Sequence, residues 1–374
     1  MRVRTSRCGL LYWEESRLIW DDYLAHRRFP LAAGVEGLLR SFGDWRAPET
    51  VIPSEVEDDG WAGRVVAELL AADVLVGEGT PRDRREREVL ASWQAWGVPA
   101  RAFHFSTRLH RDTAFQTLEQ QDAAFDARLD VTPPPPAFAA RPGSARTPLP
   151  SADLPPVTLQ AALDGRRSHR TFGAEALPRS AVGTLLRMAA GPTGHLARLR
   201  EPHGTVFKTS PSGGGRHPTE LYPIVCNVAG IEPAVYHYDG LRHELERVGD
   251  AVDGATLTAL CGDQEWAARA GMVVVYTSVM SRLRWKYGAA RTYRVLLLDA
   301  GHLSQTVYLV ATALGLGSTF TAAIRDELAE QLLGIDAAQE PVIGCAVIGS
   351  LAPAGAGSGA SSLRKRADSS HRSV

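Results

Sequence analysis

Four consecutive prolines, Pro133, Pro134, Pro135 and Pro136, sit in a stretch from 131 to 156 that carries several more. Such a run favours extended polyproline conformations and leaves its backbone to solvent, so 131–156 reads as a linker. It predicts one domain over 1–130 and a second over 157–350. From Pro353 onward the chain is mostly Gly, Ala and Ser, followed by Arg364-Lys365-Arg366. With little to bury, the tail over 351–374 is expected to be disordered. A length of 374 residues accommodates this division.

The formal net charge is -1, which gives no reason to expect nucleic acid or an anionic membrane as partner. The four cysteines, Cys8, Cys226, Cys261 and Cys345, lie far apart, so neither a zinc site nor a disulfide scaffold is expected. Cys226 and Cys345 fall in apolar runs and read as buried thiols, which fits a reducing compartment. The apolar stretch after Met1-Arg2-Val3-Arg4 stops at Glu14-Glu15, too soon for a signal peptide. No apolar run reaches about 18 residues, so no membrane helix is expected and a cytoplasmic protein is.

The first segment reads as small and mixed α/β. Runs 9–13 and 16–20 are strand-like around an acidic turn, and 35–42 and 62–72 have helical periodicity. Residues 74–76 form a strand ending at Gly77, and 84–96 a further helix. This order resembles a winged-helix or peptide-clamp module. In the second segment Thr158 caps a short helix, and Pro178 opens one with Val182, Leu185, Leu186 and Ala189 on one face. Strands are predicted over 222–228, 234–238, 243–248, 272–279 and 342–348, with Asp239-Gly240 as a hairpin turn. A long helix over 291–314 is closed by Gly315 and Gly317, and a short one spans 326–333. The fold class is therefore α+β, a mixed sheet layered by helices.

Three groups of residues carry chemistry. Arg166-Arg167-Ser168-His169-Arg170-Thr171-Phe172 packs guanidiniums and hydroxyls against a helix end, as phosphate binding requires; an exposed basic turn reads equally well. Ser212-Gly213-Gly214-Gly215-Arg216-His217-Pro218 lets a backbone approach a flat ring, or is a flexible loop. Trp285-Lys286-Tyr287-Gly288 precedes the long helix. Its lysine and tyrosine are candidates for proton transfer, or Lys286 is an ordinary surface residue at a helix start.

Arg-Arg-Ser-X-Arg followed by Phe172 resembles the phosphate loop of nitroreductase-type flavoproteins. Ser212-Gly-Gly-Gly-Arg-His-Pro with Glu220-Leu221-Tyr222 is similar to SagB-type dehydrogenases, the thiazole/oxazole-forming oxidases of peptide natural products. The likeness continues through Tyr236-His237-Tyr238, Trp285-Lys286-Tyr287-Gly288, Tyr293-Arg294, Asp299-Ala300-Gly301-His302 and Gly315-Leu316-Gly317-Ser318, and ends near Glu340. It covers about half the chain, in order. The resemblance implies a nitroreductase-like fold binding FMN at a homodimer interface. Arg166, Arg167, Ser168 and Arg170 would hold the phosphate and ribityl chain, and Ser212, Gly213 and Gly214 the ring. Gly317, Ser318, Thr321 and Ala322 would complete the cofactor site. Lys286 and Tyr287 match the family's catalytic pair, and no metal is implied. Where many relatives carry Pro-Ile-Gly-Gly or Pro-Ile-Glu-Gly, this chain has Phe320-Thr321-Ala322-Ala323.

The expected function is an FMN-dependent dehydrogenation of a ribosomally made precursor peptide, azoline to azole or similar. A cyclodehydratase or another maturation protein is an expected partner. The alternatives are a general NAD(P)H-dependent nitroreductase or quinone reductase, and an inactive peptide-binding scaffold. A homodimer is expected because Val307, Leu309, Val310 and Leu314 extend the long helix's apolar surface beyond one stripe.

Overall fold

The computed structural model describes residues 1–51, 61–150, 152–198 and 201–352. Most of the expected tail lies outside them. The chain forms two compact units, Met1–Phe115 and Gln116–Val374.

In the first unit β1 (Val3–Thr5) pairs antiparallel with β5 (Leu75–Gly77). β2 (Gly9–Glu14), β3 (Arg17–Asp22) and β4 (Arg27–Pro30) form a separate meander. The helices are α1 (Val35–Ser41), α2 (Trp61–Ala71), α3 (Pro81–Ser92) and α4 (Gly97–Ser106). Val3, Trp20, Leu39, Phe42 and Leu75 fill one core. Beside it, buried Arg4 pairs with Glu86 at 2.8 Å and Asp83 at 3.3 Å, so these charges satisfy one another out of water.

The second unit begins with α5 (Leu118–Val131) and β6 (Arg146–Pro148), followed by α6 (Leu159–Gly165) and α7 (Arg179–Ala190). Next come the hairpin β7 (Pro192–Arg198) and β8 (Glu201–Lys208), then β9 (Thr219–Val225), β10 (Ala234–Asp239) and β11 (Glu244–Gly249). α8 (Gly254–Leu260), β12 (Met272–Ser278), α9 (Met280–Lys286) and α10 (Thr292–Ala313) follow. β13 (Leu316–Thr321), α11 (Asp326–Leu333) and β14 (Val342–Ser350) close it. Seven strands join in the order β13-β14-β12-β9-β10-β11-β6. The expected α+β class stands, with one refinement. The pairs in this sheet are antiparallel rather than mixed in direction.

The central strands are apolar on both faces because helices cover both. Met272, Val274 and Tyr276 point to one side, packing with Val182, Leu185, Val307 and Val310 of α7 and α10. Val273 and Val275 point to the other, against Leu257, Leu260, Ala329 and Leu333 of α8 and α11. The period of two along β12 therefore places α10 and its loops on a single face of the sheet.

The proline-rich stretch belongs to this unit. β6 extends the sheet by pairing with β11. Prolines lack an N–H but keep their carbonyls, and the segment is held through acceptors. Pro136 O accepts from Arg282 Nε at 2.8 Å, and Thr132 O from the Trp285 indole at 2.9 Å. Arg128 of α5 donates to Trp285 O, and Phe125 meets the indole ring edge-on at 5.3 Å.

One local expectation changes. The turn after Asp239 is wider than two residues, with the Asp239 carboxylate accepting from the Leu241 and Arg242 amides.

Candidate functional site: two loops on one helix

α10 carries the site. Its first half binds the glycine loop through Asp299, an acid on the buried stripe of the helix. Asp299 accepts from Ser212 Oγ at 2.6 Å and from the Gly213 amide at 3.1 Å. Burial pushes its carboxyl up, and these two donors pull it part of the way back. Ser212 Oγ in turn accepts from the His217 amide at 2.8 Å. Ser210 meets Thr306 at 2.6 Å, and Pro211 O lies 3.3 Å from His302 Nδ1. The loop is therefore fixed and not flexible. Burial, with Lys208 nearby, pushes the His217 imidazole down to about 4.

The glycines serve a purpose that the sequence reading did not give them. A Cβ on Gly213 would stand 2.3 Å from Val295 Cγ1. One on Gly214, whose φ is 62°, would stand 2.5 Å from Tyr287 Oη and 3.0 Å from Lys286 Nζ. The missing side chains thus admit α10 and the Lys-Tyr pair against the loop. Lys286 Nζ lies 3.5 Å from Gly214 O. Lys286 ends α9 and does not start α10. Burial pushes the Tyr287 phenol up, with Arg216 opposing, so it stays protonated at neutral pH.

The arginine loop lies toward the other end of α10. Its anchor is Tyr308, nine residues or about 14 Å along the axis from Asp299. Tyr308 Oη meets Ser168 Oγ at 3.1 Å and accepts from the Phe320 amide at 2.6 Å, while Arg166 stacks over its ring at 5.4 Å. Arg167 turns back onto the carbonyls of Asp164 and Arg166, closing the C-terminus of α6. Arg170 is exposed. The His169 amide donates to Ser318 O at 2.9 Å, which brings the arginine loop onto β13. Gly317 allows that approach: a Cβ there would meet His169 Cβ and Phe172 at 3.3 Å. Thr321 Oγ1 accepts from Gln264 and from the Ala323 amide, so it holds a turn at the end of β13, where Ala322 is exposed.

The structure thus brings Ser212, Gly213, Gly214, Lys286 and Tyr287 together, and separately Arg166, Ser168, Gly317 and Ser318. Asp299 and Tyr308, which join these groups to α10, were missed as site residues. The signal was a polar group on the apolar face of a long helix, where it needs a partner. Among the described residues no cluster of His, Cys, Asp and Glu is placed to hold a metal ion. Nor is any helix among them long and apolar enough to cross a membrane.

A model of the Nitroreductase family matches residues 163–350. The chain belongs to the nitroreductase family. The match covers both loops, α10 and the Lys-Tyr segment. MJ1384 of Methanocaldococcus jannaschii, named as a nitroreductase, is 33% identical over 183 residues, 49% of this chain and 87% of that protein. The trifolitoxin-processing protein TfxB of Rhizobium leguminosarum bv. trifolii is 33% identical over 135 residues, 34% of this chain. The microcin B17-processing protein McbC of Escherichia coli is 29% identical over 142 residues, 36% of this chain. The matched regions span 36% of TfxB and 50% of McbC. In fold, the nitroreductase-family unit is similar to a crystal structure named as a nitroreductase from Anabaena variabilis. The TM-score is 0.51 at 24% identity, over 67% of this chain and 47% of that one.

Proposed function

We propose that this nitroreductase-family protein is an FMN-dependent dehydrogenase that oxidises a modified ribosomal peptide. The observation that carries the reading is Lys286 and Tyr287 packed on Gly214, in a site whose far end is a basic loop. FMN is a flat ring joined by a ribityl chain to one phosphate, and the residues fit it. Arg166, Arg170 and the Ser168 hydroxyl offer the phosphate end charged and neutral donors. Arg167 adds its charge from its place at the end of α6. The loop at Ser212, Gly213 and Gly214 would face the ring, with Gly317, Ser318, Thr321 and Ala322 completing the site. The two amino-acid segments lie on one helix at a spacing that suits an elongated ligand.

Bound flavin supplies an acceptor for a hydride; the chain's residues orient the substrate and handle its proton. Tyr287, held protonated by burial, is placed to donate a hydrogen bond or a proton at Oη. Lys286 Nζ, as the neutral amine, is the neighbouring group that would receive one. The names of TfxB and McbC, both processing proteins, support a processed precursor as substrate; a cyclodehydratase or another maturation protein as partner is a further part of the proposal. The name of MJ1384 favours a second reading, a general nitroreductase with a nicotinamide donor. Rapid NADH oxidation by the purified protein without any peptide would select it over the first.

Replacing Arg170 by Ala should weaken FMN about ten- to hundredfold, since losing a charged phosphate contact costs about 1.5–3 kcal/mol. Equilibrium titration of the apoprotein, followed by quenching of flavin fluorescence, measures it. Unchanged affinity would remove Arg170 from the site. Released cofactor that proves to be FAD would remove the FMN reading itself.

A homodimer is part of the proposal, on different residues from those the sequence suggested. Val307 and Val310 face the unit's own core, and Leu309 and Leu314 are half-buried. The exposed apolar residues of α10 are Tyr293, Leu297 and Leu298. Leu297→Glu and Leu298→Glu should shift the light-scattering mass from dimer to monomer, because a charge in a desolvated contact is unpaired. A flavin-loaded wild type that is already a monomer would contradict this.

A further inference from the structure

Beside the Lys-Tyr pair, the elbow between α9 and α10 forms a pocket of 240 Å3 that is open to solvent on one side. Leu283, Tyr287, Ala290, Tyr293 and Leu296 line it, and Arg284 is the charged residue on its wall. Gly288, Ala289 and Ala290 are small, and their shortness leaves the space open. An apolar cavity of about 150 Å3 is enough to admit benzene, so this one has room for a phenyl or branched aliphatic group. A concave site lined mainly by apolar side chains with few polar groups is the usual form of a ligand pocket.

Tyr287 belongs to both places. Its ring lines the cavity, while its hydroxyl reaches the position a Gly214 Cβ would take, next to Lys286. A group seated in the cavity is therefore attached to atoms that lie at the glycine loop. We infer that the cavity is a specificity pocket for an apolar, preferably aromatic, side chain of the peptide, carried next to the residue that reacts. This rests on the peptide-oxidation reading and extends it to sequence preference. Arg284 at the wall disfavours a basic side chain, and because it is exposed its guanidinium is screened by water and gives an acidic one little in return.

The probes are three small amides: N-acetyl-phenylalanine amide, N-acetyl-alanine amide and N-acetyl-glutamate amide. Each is titrated into the full, flavin-loaded chain and followed by saturation-transfer NMR. The aromatic amide should bind about tenfold or more tightly than the alanine amide, from the added apolar area removed from water. Ala290→Phe and Thr292→Phe fill the cavity from two walls. Both should abolish that preference and keep flavin content and flavin affinity unchanged. Equal binding of the three amides, or an undiminished preference in both filled variants, overturns the pocket. So does a filled variant that changes oligomeric mass, since the cavity would then be filled by a second copy of the chain. If the protein holds no flavin, the peptide-oxidation reading fails, yet the amide preference still tests the cavity on the colourless chain.

Discussion

Lys286→Ala and Tyr287→Phe should each yield a yellow protein that has lost most of its turnover. Neither side chain belongs to the arginine loop, so cofactor content should match the wild type. General acid–base groups contribute about 10²–10⁴-fold in rate, and losses of that size are expected with a peptide substrate at matched flavin content. The Tyr287 phenol is protonated, so it suits orienting the substrate, and Lys286 as the neutral amine is the candidate for receiving the proton. Lys286→Ala should then be the more damaging change. The double variant should fall little below it, because groups that act as a unit are not additive.

The rival explanation is packing alone. Lys286 and Tyr287 fill the space left by Gly214, and a packing role predicts altered stability with near-normal rates. Single-turnover rates separate the two, since they exclude effects on product release. Near-wild-type values for both single variants would remove the proton-handling assignment and leave the cofactor proposal untouched.

Much of the second unit was legible because its patterns are local. The apolar run of β12, the face of α7 and the length of α10 follow from periodicity, and the structure gives them almost the expected bounds. The cap at Thr158 is present, its hydroxyl accepting from the Ala161 amide. The missed elements lack an apolar stripe. α5 buries no residue, so no periodicity announced it, although Thr117 and Gln120 form a capping box that the sequence does display. The proline run predicts a linker with its backbone left to solvent, whereas the Pro136 carbonyl accepts from Arg282 inside the unit. The glycine loop was read by what it leaves room for. Which atoms take the room depends on Val295 and Tyr287, more than 70 positions away in the chain. Charged residues within the strands, chiefly Glu220, were passed over because their partners come from other elements.

Glu220→Ala should be among the most destabilising single changes in the second unit. Its carboxylate is buried on β9, 2.5 Å from Arg282 and 2.9 Å from His237. His237, wholly buried, faces Glu246 at 3.0 Å through its other nitrogen. Removing one partner of such a network leaves the others charged and unpaired, at a cost of about 3–5 kcal/mol. A fall in Tm of roughly 10 °C is the corresponding thermal shift for a unit of this size. The pH dependence identifies the cause. Burial pushes the Glu220 carboxyl up, but Arg282, then His237 and Lys208, outweigh it and hold it well below the usual range. A depressed carboxylate contributes stability above its unfolded pKa, about 4.3, and loses it as pH falls toward the folded value. Burial pushes His237 down, yet Glu220 and Glu246 outweigh it and raise it. That contribution is full below the unfolded value of about 6.5 and is lost as pH rises through the folded one. The gap in Tm between wild type and Glu220→Gln should therefore be widest from about pH 5 to 6.5 and narrow on both sides. A gap that stays the same from well below pH 5 to well above pH 6.5 would mean the glutamate fills space without its charge mattering. The consequence reaches the site, because Arg282 also donates to His217 O at 2.9 Å and lies one turn before Lys286 on α9. Losing Glu220 frees the guanidinium that ties the glycine loop to the helix carrying the proposed proton acceptor. The variant should then lose turnover at temperatures well below its own melting point.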